Sequence, residues 1–260
     1  MKVVLFCGGF GMRLHQLTEN IPKPLVPIGG KPLLLHLMKY YSHFGHKDFI
    51  LCLGYKGEEI KKFFLHYDEH ISGDFVLSNG SKVEKYFQSE IEDWRITFAD
   101  TGLHAPIGER LKKVEKYVGE DESFLANYAD GLSDLPLNDL IDYSKKRDSI
   151  ACFISVKPSV AYHYVSTSQD GYVDGIRQLN QTPMRINGGF FVFKNQIFDY
   201  INNGEDLVAD TFPRLIEKKQ LRTYPYDGFW ASMDTYKDKS ILDEMADKGQ
   251  AKWEVWNKKR

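Results

Sequence analysis

Cysteine is scarce in this chain of 260 residues, and so are long apolar runs and any excess of charge of one sign. The three cysteines, Cys7, Cys52 and Cys152, each lie in an apolar stretch. They read as buried free thiols of a reducing cytoplasm, not as a disulfide framework. No Cys/His group has the spacing of a zinc site. No stretch approaches the ~20 apolar residues of a membrane span. The opening Met1–Phe6 is too short, and too quickly followed by glycine, to be a leader. Lys and Arg number 34 against 36 Asp and Glu, a net charge of −2. That balance gives no pull toward nucleic acid or an anionic membrane. Repeats and low-complexity tracts are absent. The first glycine-rich turn also lacks the two familiar nucleotide fingerprints. It has no Gly-Lys-Ser/Thr ending, and the position three beyond Gly11 is Leu14 instead of glycine.

What is present is a core and a rhythm. Hydrophobic residues make up 42% and aromatics 14%, enough for one substantial domain. Short β-branched runs at 2–9, 48–55, 95–102, 123–130 and 149–156 alternate with amphipathic helical stretches at 31–45, 56–67, 108–118 and 137–147. This βαβα order predicts an α/β fold with a mostly parallel sheet covered on both faces. After residue 157 the rhythm changes. Residues 162–179 read as two strands around Asp170-Gly171, 185–193 as one strand carrying two glycines, and 195–202 and 206–219 as helices. Residues 221–249 read as a short strand, a polar-aromatic loop and a helix. We expect a single domain over 1–260, with 1–157 as one half and 158–260 as a smaller C-terminal portion folded onto it. The aromatic-rich segment 67–94 has no clear place in the sheet and suits a subunit contact.

Open α/β sheets bind ligands beyond the carboxyl ends of their strands. Five special segments fall there: Gly8–Arg13, Lys23-Pro24, Thr101-Gly102, Tyr128–Gly131 and Met233–Thr235. Glycines let main-chain N–H groups approach an anion. Arg13 can hold two phosphate oxygens with its fork, and Lys23 supplies a compact charge. Asp130 and Asp234 are carboxylates in loops of small residues, which suits a Mg²⁺ that keeps waters and bridges to phosphates. Together these parts suit phosphoryl or nucleotidyl transfer on a phosphorylated small molecule. Taken singly, each has a plainer reading: a tight turn, a solvated lysine, a helix cap. Trp230, in Gly228–Asp234, reads as packing more readily than as a stacking platform.

The stretch GGFGMRL followed by IPKPL resembles the signature of nucleoside-diphosphate-sugar pyrophosphorylases, usually G-G-x-G-T-R-L and then K-P. The segments at 30–49, 49–64, 94–102, 107–118, 127–131, 186–193 and 228–245 are similar, in order and spacing, to the cytidylyltransferase branch of that family, and the match runs to the closing KWEVW. The resemblance implies a Rossmann-like nucleotidyltransferase fold, with Mg²⁺ as cofactor and CTP and a sugar 1-phosphate as substrates. It also implies a homo-oligomer, to which the composition adds a cytoplasmic setting with no nucleic-acid or membrane partner. On its terms Phe6, Gly8, Gly9, Gly11, Met12, Arg13, Lys23, Gly102, Arg110 and Ala129 lie against the nucleotide. Arg13 and Lys23 act on the phosphates, and Asp130 and Asp234 hold the metal. Asn187 and Gly188 meet the sugar. Three positions depart from the family pattern. Met12 stands for Thr, and Ala129 for a glycine whose φ, if positive, would strain it. The lysine of a Glu-Lys-Pro before Ile186–Gly189 is missing, so Arg185 and then Arg177 are the cations left for the acceptor phosphate. A nucleotidyltransferase with another NTP or acceptor, and a nucleotide-binding regulator without turnover, are the competing readings.

Overall fold

The computed structural model describes residues 1–9, 18–67, 75–78, 82–86, 91–159 and 162–257. In chain order the strands are β1 (Lys2–Phe6), β2 (Pro27–Ile28), β3 (Lys31–Pro32), β4 (Asp48–Leu53), β5 (Phe75–Ser78), β6 (Lys82–Tyr86), β7 (Arg95–Asp100) and β8 (Ser123–Tyr128). They continue as β9 (Gly131–Ser133), β10 (Ala151–Val156), β11 (His163–Thr167), β12 (Val173–Gln178), β13 (Ile186–Asn187), β14 (Phe191–Lys194), β15 (Leu221–Tyr226) and β16 (Trp230–Ser232). The helices are α1 (Leu33–His43), α2 (Gly57–Leu65), α3 (Ile107–Lys113), α4 (Glu115–Val118), α5 (Leu137–Arg147), α6 (Phe212–Glu217) and α7 (Tyr236–Asp247).

Eight strands make the main sheet, in the order β13, β10, β14, β8, β1, β4, β7, with β15 joined to β10. The run β8–β1–β4–β7 is parallel, so these four strands end on one edge. β14 runs antiparallel to both β8 and β10, and β15 is parallel to β10. The sheet is therefore mixed, mostly parallel, and flanked by helices.

Alternation along β1 explains the layers. Val3 and Leu5 enter one core with Leu34, Leu37, Met38 and Tyr41 of α1, and with Leu137 and Leu140 of α5. Val4 and Phe6 enter a second core with Leu111 of α3 and with Phe212 and Leu215 of α6. Successive strand side chains point to opposite faces, so a strand apolar throughout is one covered on both sides. A third cluster joins Val26 and Ile28 to Leu132, Met233, Leu242 and Trp253. It packs the segment that begins at Lys23 against β9, β16 and α7.

Several expectations change in detail. The helix expected over 108–118 is two helices that meet at Val114. The strand expected over 185–193 is split into β13 and β14 by a bend at Gly188–Phe190. The helix expected over 206–219 begins as a π-helical turn at Leu207–Thr211, capped by Asp206, before α6. Within 67–94, β5 and β6 pair only with each other among the described strands; beyond residue 162, β11 and β12 likewise pair only with each other. No helix among the described residues is long and apolar enough to cross a membrane. Cys7, Cys52 and Cys152 are buried and free.

Candidate active site

Two short strands that periodicity does not reveal assemble the centre of the site. β9 follows Asp130 directly, and β16 ends two residues before Asp234. The strands pair antiparallel, with Gly131 opposite Ser232, and the Met233 N–H donates to the Asp130 carbonyl at 3.0 Å. This pairing brings the two aspartates side by side. Lys23 opens a single 3₁₀ turn, Lys23–Leu25, on which Pro24 is buried. Its ammonium donates to Asp130 Oδ2 at 2.7 Å and to Asp234 Oδ1 at 2.9 Å. Asp234 Oδ2 accepts from the Ser232 hydroxyl at 3.1 Å. The Asp234 N–H donates to Asp238 at 3.1 Å, and Thr235 with Asp238 forms the capping box that starts α7. Burial by itself would lower the Lys23 pKa, but the two carboxylates outweigh it and hold it above the ordinary lysine value. Lys23 is therefore a full cation at neutral pH.

A second cation lies behind the same edge. Arg110 of α3 is 3% exposed. Its two terminal nitrogens donate to the carbonyls of Leu53 and Gly8, each at 3.2 Å, to that of Leu103 at 3.2 Å, and to the Thr101 hydroxyl at 2.7 Å. Those partners follow or end β1, β4 and β7, so one side chain ties three loops together. Glycine is required for the fit: a Cβ on Gly8 would lie 2.1 Å from the Arg110 guanidinium, and one on Gly54 2.8 Å from it. The resemblance sets Arg110 against the nucleotide. In the structure its terminal nitrogens are engaged by the protein, and it holds the loop shape from below.

The other expected residues divide in the same way. Gly9 is exposed, with open space where a side chain would be. Gly102 has φ +93° and donates its N–H to Asp100 Oδ1 at 3.0 Å. The Phe6 ring packs in the core, 6.1 Å from that of Tyr128. Ala129 is buried and is not among the residues with positive φ, so alanine carries no such strain here. Gly11, Met12 and Arg13 lie outside the described residues.

On the acceptor side, Asn187 Nδ2 donates to the Tyr128 hydroxyl at 3.3 Å, which sets Asn187 beside the strand that leads to Asp130. Arg185 donates to the carbonyls of Ser155 at 2.8 Å and Tyr226 at 3.3 Å, and to Asp227 Oδ1 at 2.6 Å. Arg177 lies on β12, opposite Tyr164, and lines a cavity of about 440 Å³ with Ser166, Thr182 and Met184. The structure thus brings together Lys23, Asp130 and Asp234, and sets Asn187 near them through Tyr128. It engages Arg185 with the scaffold and leaves Arg177 on a separate hairpin. Sequence reading set Thr101 at the sheet edge without giving it a role, and missed Ser232. Their only signal was a small hydroxyl residue near a strand end, which is common. Among the described residues no group of three or more His, Cys, Asp or Glu side chains is arranged to hold a metal.

A mostly parallel sheet with glycines, a lysine and paired carboxylates beyond its strand ends defines a Rossmann-like protein built to handle nucleotide phosphates. The apo structure of UDP-glucose pyrophosphorylase shares this fold, with TM-score 0.70 over 96% of this chain and 99% of that one at 17% identity. A putative glucose-1-phosphate thymidylyltransferase from Bacillus anthracis gives TM-score 0.69 over 95% of both chains at 15% identity. At these identities the likeness speaks for the fold alone. The family itself is settled by sequence: the chain belongs to the nucleotidyl transferase family, whose model matches residues 2–250. It is 38% identical over 259 residues to the probable glucose-1-phosphate cytidylyltransferase of Bacillus subtilis, covering 98% of this chain and all of that one. It is 37% identical over 261 residues to the glucose-1-phosphate cytidylyltransferase of Salmonella typhi, with the same coverage.

Proposed function

We propose that this chain condenses CTP with a sugar 1-phosphate, in the first place glucose 1-phosphate, to give a CDP-sugar and pyrophosphate. The observation that carries the reading is Lys23 set between Asp130 and Asp234 at the sheet edge where the β1 glycines open. It is supported by 37% and 38% identity, along nearly the whole chain, to proteins named for that reaction.

The reaction asks for positioning and charge neutralisation. A phosphate oxygen of the acceptor attacks the α-phosphorus in line. The new P–O bond forms as the bond to the β-phosphate oxygen breaks, and pyrophosphate leaves with the electron pair. The acceptor phosphate is already ionised at neutral pH, so no general base is needed. Lys23, at the end of its four-carbon stem, presents positive charge to the reacting phosphates. Gly8 and Gly9 let the triphosphate approach the main chain. Gly11, Met12 and Arg13 follow in the sequence, and on this reading Arg13 acts on the leaving pyrophosphate. Asn187 and Gly188 receive the sugar, and residues 1–157 and 158–260 divide the two substrates between them.

Asp130 and Asp234 fit a Mg²⁺ ion. They are hard oxygen donors that already converge on one cation, and two carboxylates leave room for water and phosphate ligands. When bound there, the ion neutralises charge on the nucleotide phosphates. Three buried free thiols agree with a cytoplasmic setting. We place self-association on the β11–β12 hairpin, where Tyr172 is 77% exposed and Ile176 62%. Such a ribbon is marginal in water by itself, and its near-neutral charge suits a second copy of this chain better than a polyanion.

Pyrophosphate release from a panel of nucleoside triphosphates and sugar 1-phosphates tests the reading. CTP with glucose 1-phosphate is expected to turn over fastest. A faster pair would replace the substrates, and no turnover with any pair would favour a regulator. Arg185 being engaged by the scaffold favours, as a second reading, an acceptor whose phosphate is held by Lys23 and the metal alone.

A further inference from the structure

The chain does not run straight from β13 into β14, which Gly188, Gly189 and Phe190 separate. Asn187 is opposite Ser155 on β10 and Val192 is opposite Cys152, so five steps on one strand face three on the other. The surplus is taken up by a bend at Gly188–Phe190. Gly189 has φ +72° and Phe190 φ +51°, a left-handed backbone that strains a non-glycine residue. Such a bend persists only if its surroundings hold it. The Gly188 N–H donates to the Ile154 carbonyl at 2.9 Å, and the Ile154 N–H to the Gly189 carbonyl at 3.1 Å. The Gly189 N–H donates to Asn187 Oδ1, and the Phe190 N–H to Asn127 Oδ1, each at 2.9 Å.

The Gly188 carbonyl is buried with the rest of the bend, and its partner comes from elsewhere in the chain. Trp230, on β16, donates its indole N–H to that carbonyl at 2.8 Å. β16 pairs with β9, so Trp230 sits on the two-stranded arm that presents Asp130 and Asp234 at its end. A closed circuit results. Asp130 leads along β9 and β16 to Trp230, then by the indole to Gly188 and Asn187. From there it returns by the Asn187–Tyr128 hydrogen bond at 3.3 Å to the strand that ends at Asp130.

We propose that Trp230 is a positioning residue that fixes the bend at Asn187–Gly188 relative to the Asp130–Asp234 pair. It thereby sets where the acceptor phosphate stands against the nucleotide. This rests on the reading that Asn187 and Gly188 receive the sugar 1-phosphate. Its effect is specific to one substrate: the nucleotide loops after β1, β4 and β7 are tied by Arg110 and do not depend on the indole. In-line transfer needs the reacting atoms at about 3–3.5 Å, and a displacement of about 1 Å costs up to about 100-fold.

Trp230→Phe keeps an aromatic ring and removes only the donor. The measurements are kcat and KM for glucose 1-phosphate, CTP affinity measured without acceptor, and the same set for Asn187→Ala. A roughly tenfold fall in kcat/KM for the acceptor is expected in Trp230→Phe, with CTP affinity within twofold of the parent. A merely structural tryptophan would weaken both substrates together, and that result overturns the proposal. So does acceptor kinetics within twofold of the parent in Trp230→Phe while Asn187→Ala impairs the acceptor. If Asn187→Ala leaves the acceptor untouched, the acceptor site itself is misplaced and the role of Trp230 falls with it. Should Trp230→Phe not fold, Trp230→Tyr also lacks the indole donor and carries the same expectations.

Discussion

The Lys23 ammonium lies 2.7 Å from Asp130 Oδ2, on a side chain only 13% exposed. Asp234 completes the contact from the opposite strand of the β9–β16 arm, so three charges from three distant parts of the chain meet in one place. The contact is the organising feature of the site, and removing any member changes the balance of charge there. Asp130→Asn and Asp234→Asn keep shape and remove one charge each. Turnover is expected to fall by about 100-fold or more in either variant, with the fold intact because Lys23 keeps one carboxylate. Pyrophosphate release with melting by circular dichroism checks both halves of this. Near-normal turnover in Asp130→Asn would remove it from the reaction.

Lys23→Ala separates binding from chemistry. A cation that acts on the reacting phosphates lowers kcat when lost and leaves CTP affinity within a few-fold. A rise in KM alone would make Lys23 a simple binding residue. A second readout needs no turnover. Without the ammonium, the two carboxylates lack a counter-charge, so Mg²⁺ should raise the melting temperature of Lys23→Ala more than that of the parent. Equal shifts would mean that the metal is not held by this pair.

Most of the fold was legible because its strands are apolar on both faces and its helices amphipathic. α5 falls on the expected residues 137–147. What escaped is what local pattern cannot carry. β9 and β16 are three residues each, too short for a period, and exist because they find each other. Val114 ends α3 by a turn that no breaker residue announces. The gathering of Lys23, Asp130 and Asp234 was readable from the rule that loops at strand carboxyl ends share one edge. The engagement of Arg110 and Arg185 was not, because a cation on a helix or at a strand start is ordinarily solvated. The physical trace of Arg110 lay elsewhere in the chain, in the glycines at 8 and 54 that make room for it.

That packing gives Arg110→Met a distinct signature. Four hydrogen bonds donated by Arg110 are lost, three of them to the carbonyls of Leu53, Gly8 and Leu103, and bonds to a charged group are worth about 1.5–3 kcal/mol each. A stability loss of about 3 kcal/mol or more is expected by urea denaturation, together with a raised KM for CTP as the Gly8 loop loosens. If Arg110 touched only the nucleotide, CTP binding would fall with no change in stability.

Two histidines, His36 buried and His46 half-buried, set the acid limit of stability. Burial pushes the His36 imidazole below its ordinary value despite the hydrogen bond to the Ile28 carbonyl and the nearby Glu254, with Lys31 and Lys39 adding repulsion. Its Nδ1 accepts from the Trp253 indole at 3.2 Å, a bond that protonation would break. Burial, helped by the N-terminal ammonium, lowers His46 to about 4. An unfolded chain titrates both near 6.5. Above that pH neither state binds the extra protons, and stability is full. Below it the unfolded chain takes them up while the folded chain does not, so stability falls as pH drops. Glu205 does not share this window. Its hydrogen bonds to Arg214, then to Asn202, hold it at about 2, so what it contributes is intact above the ordinary carboxylate range and is lost only toward that value. The melting temperature is therefore expected to be flat from pH 7 to 8 and to decline between about 6.5 and 4.5. His46→Gln should flatten part of that decline, and an unchanged slope would shift the cause to other groups.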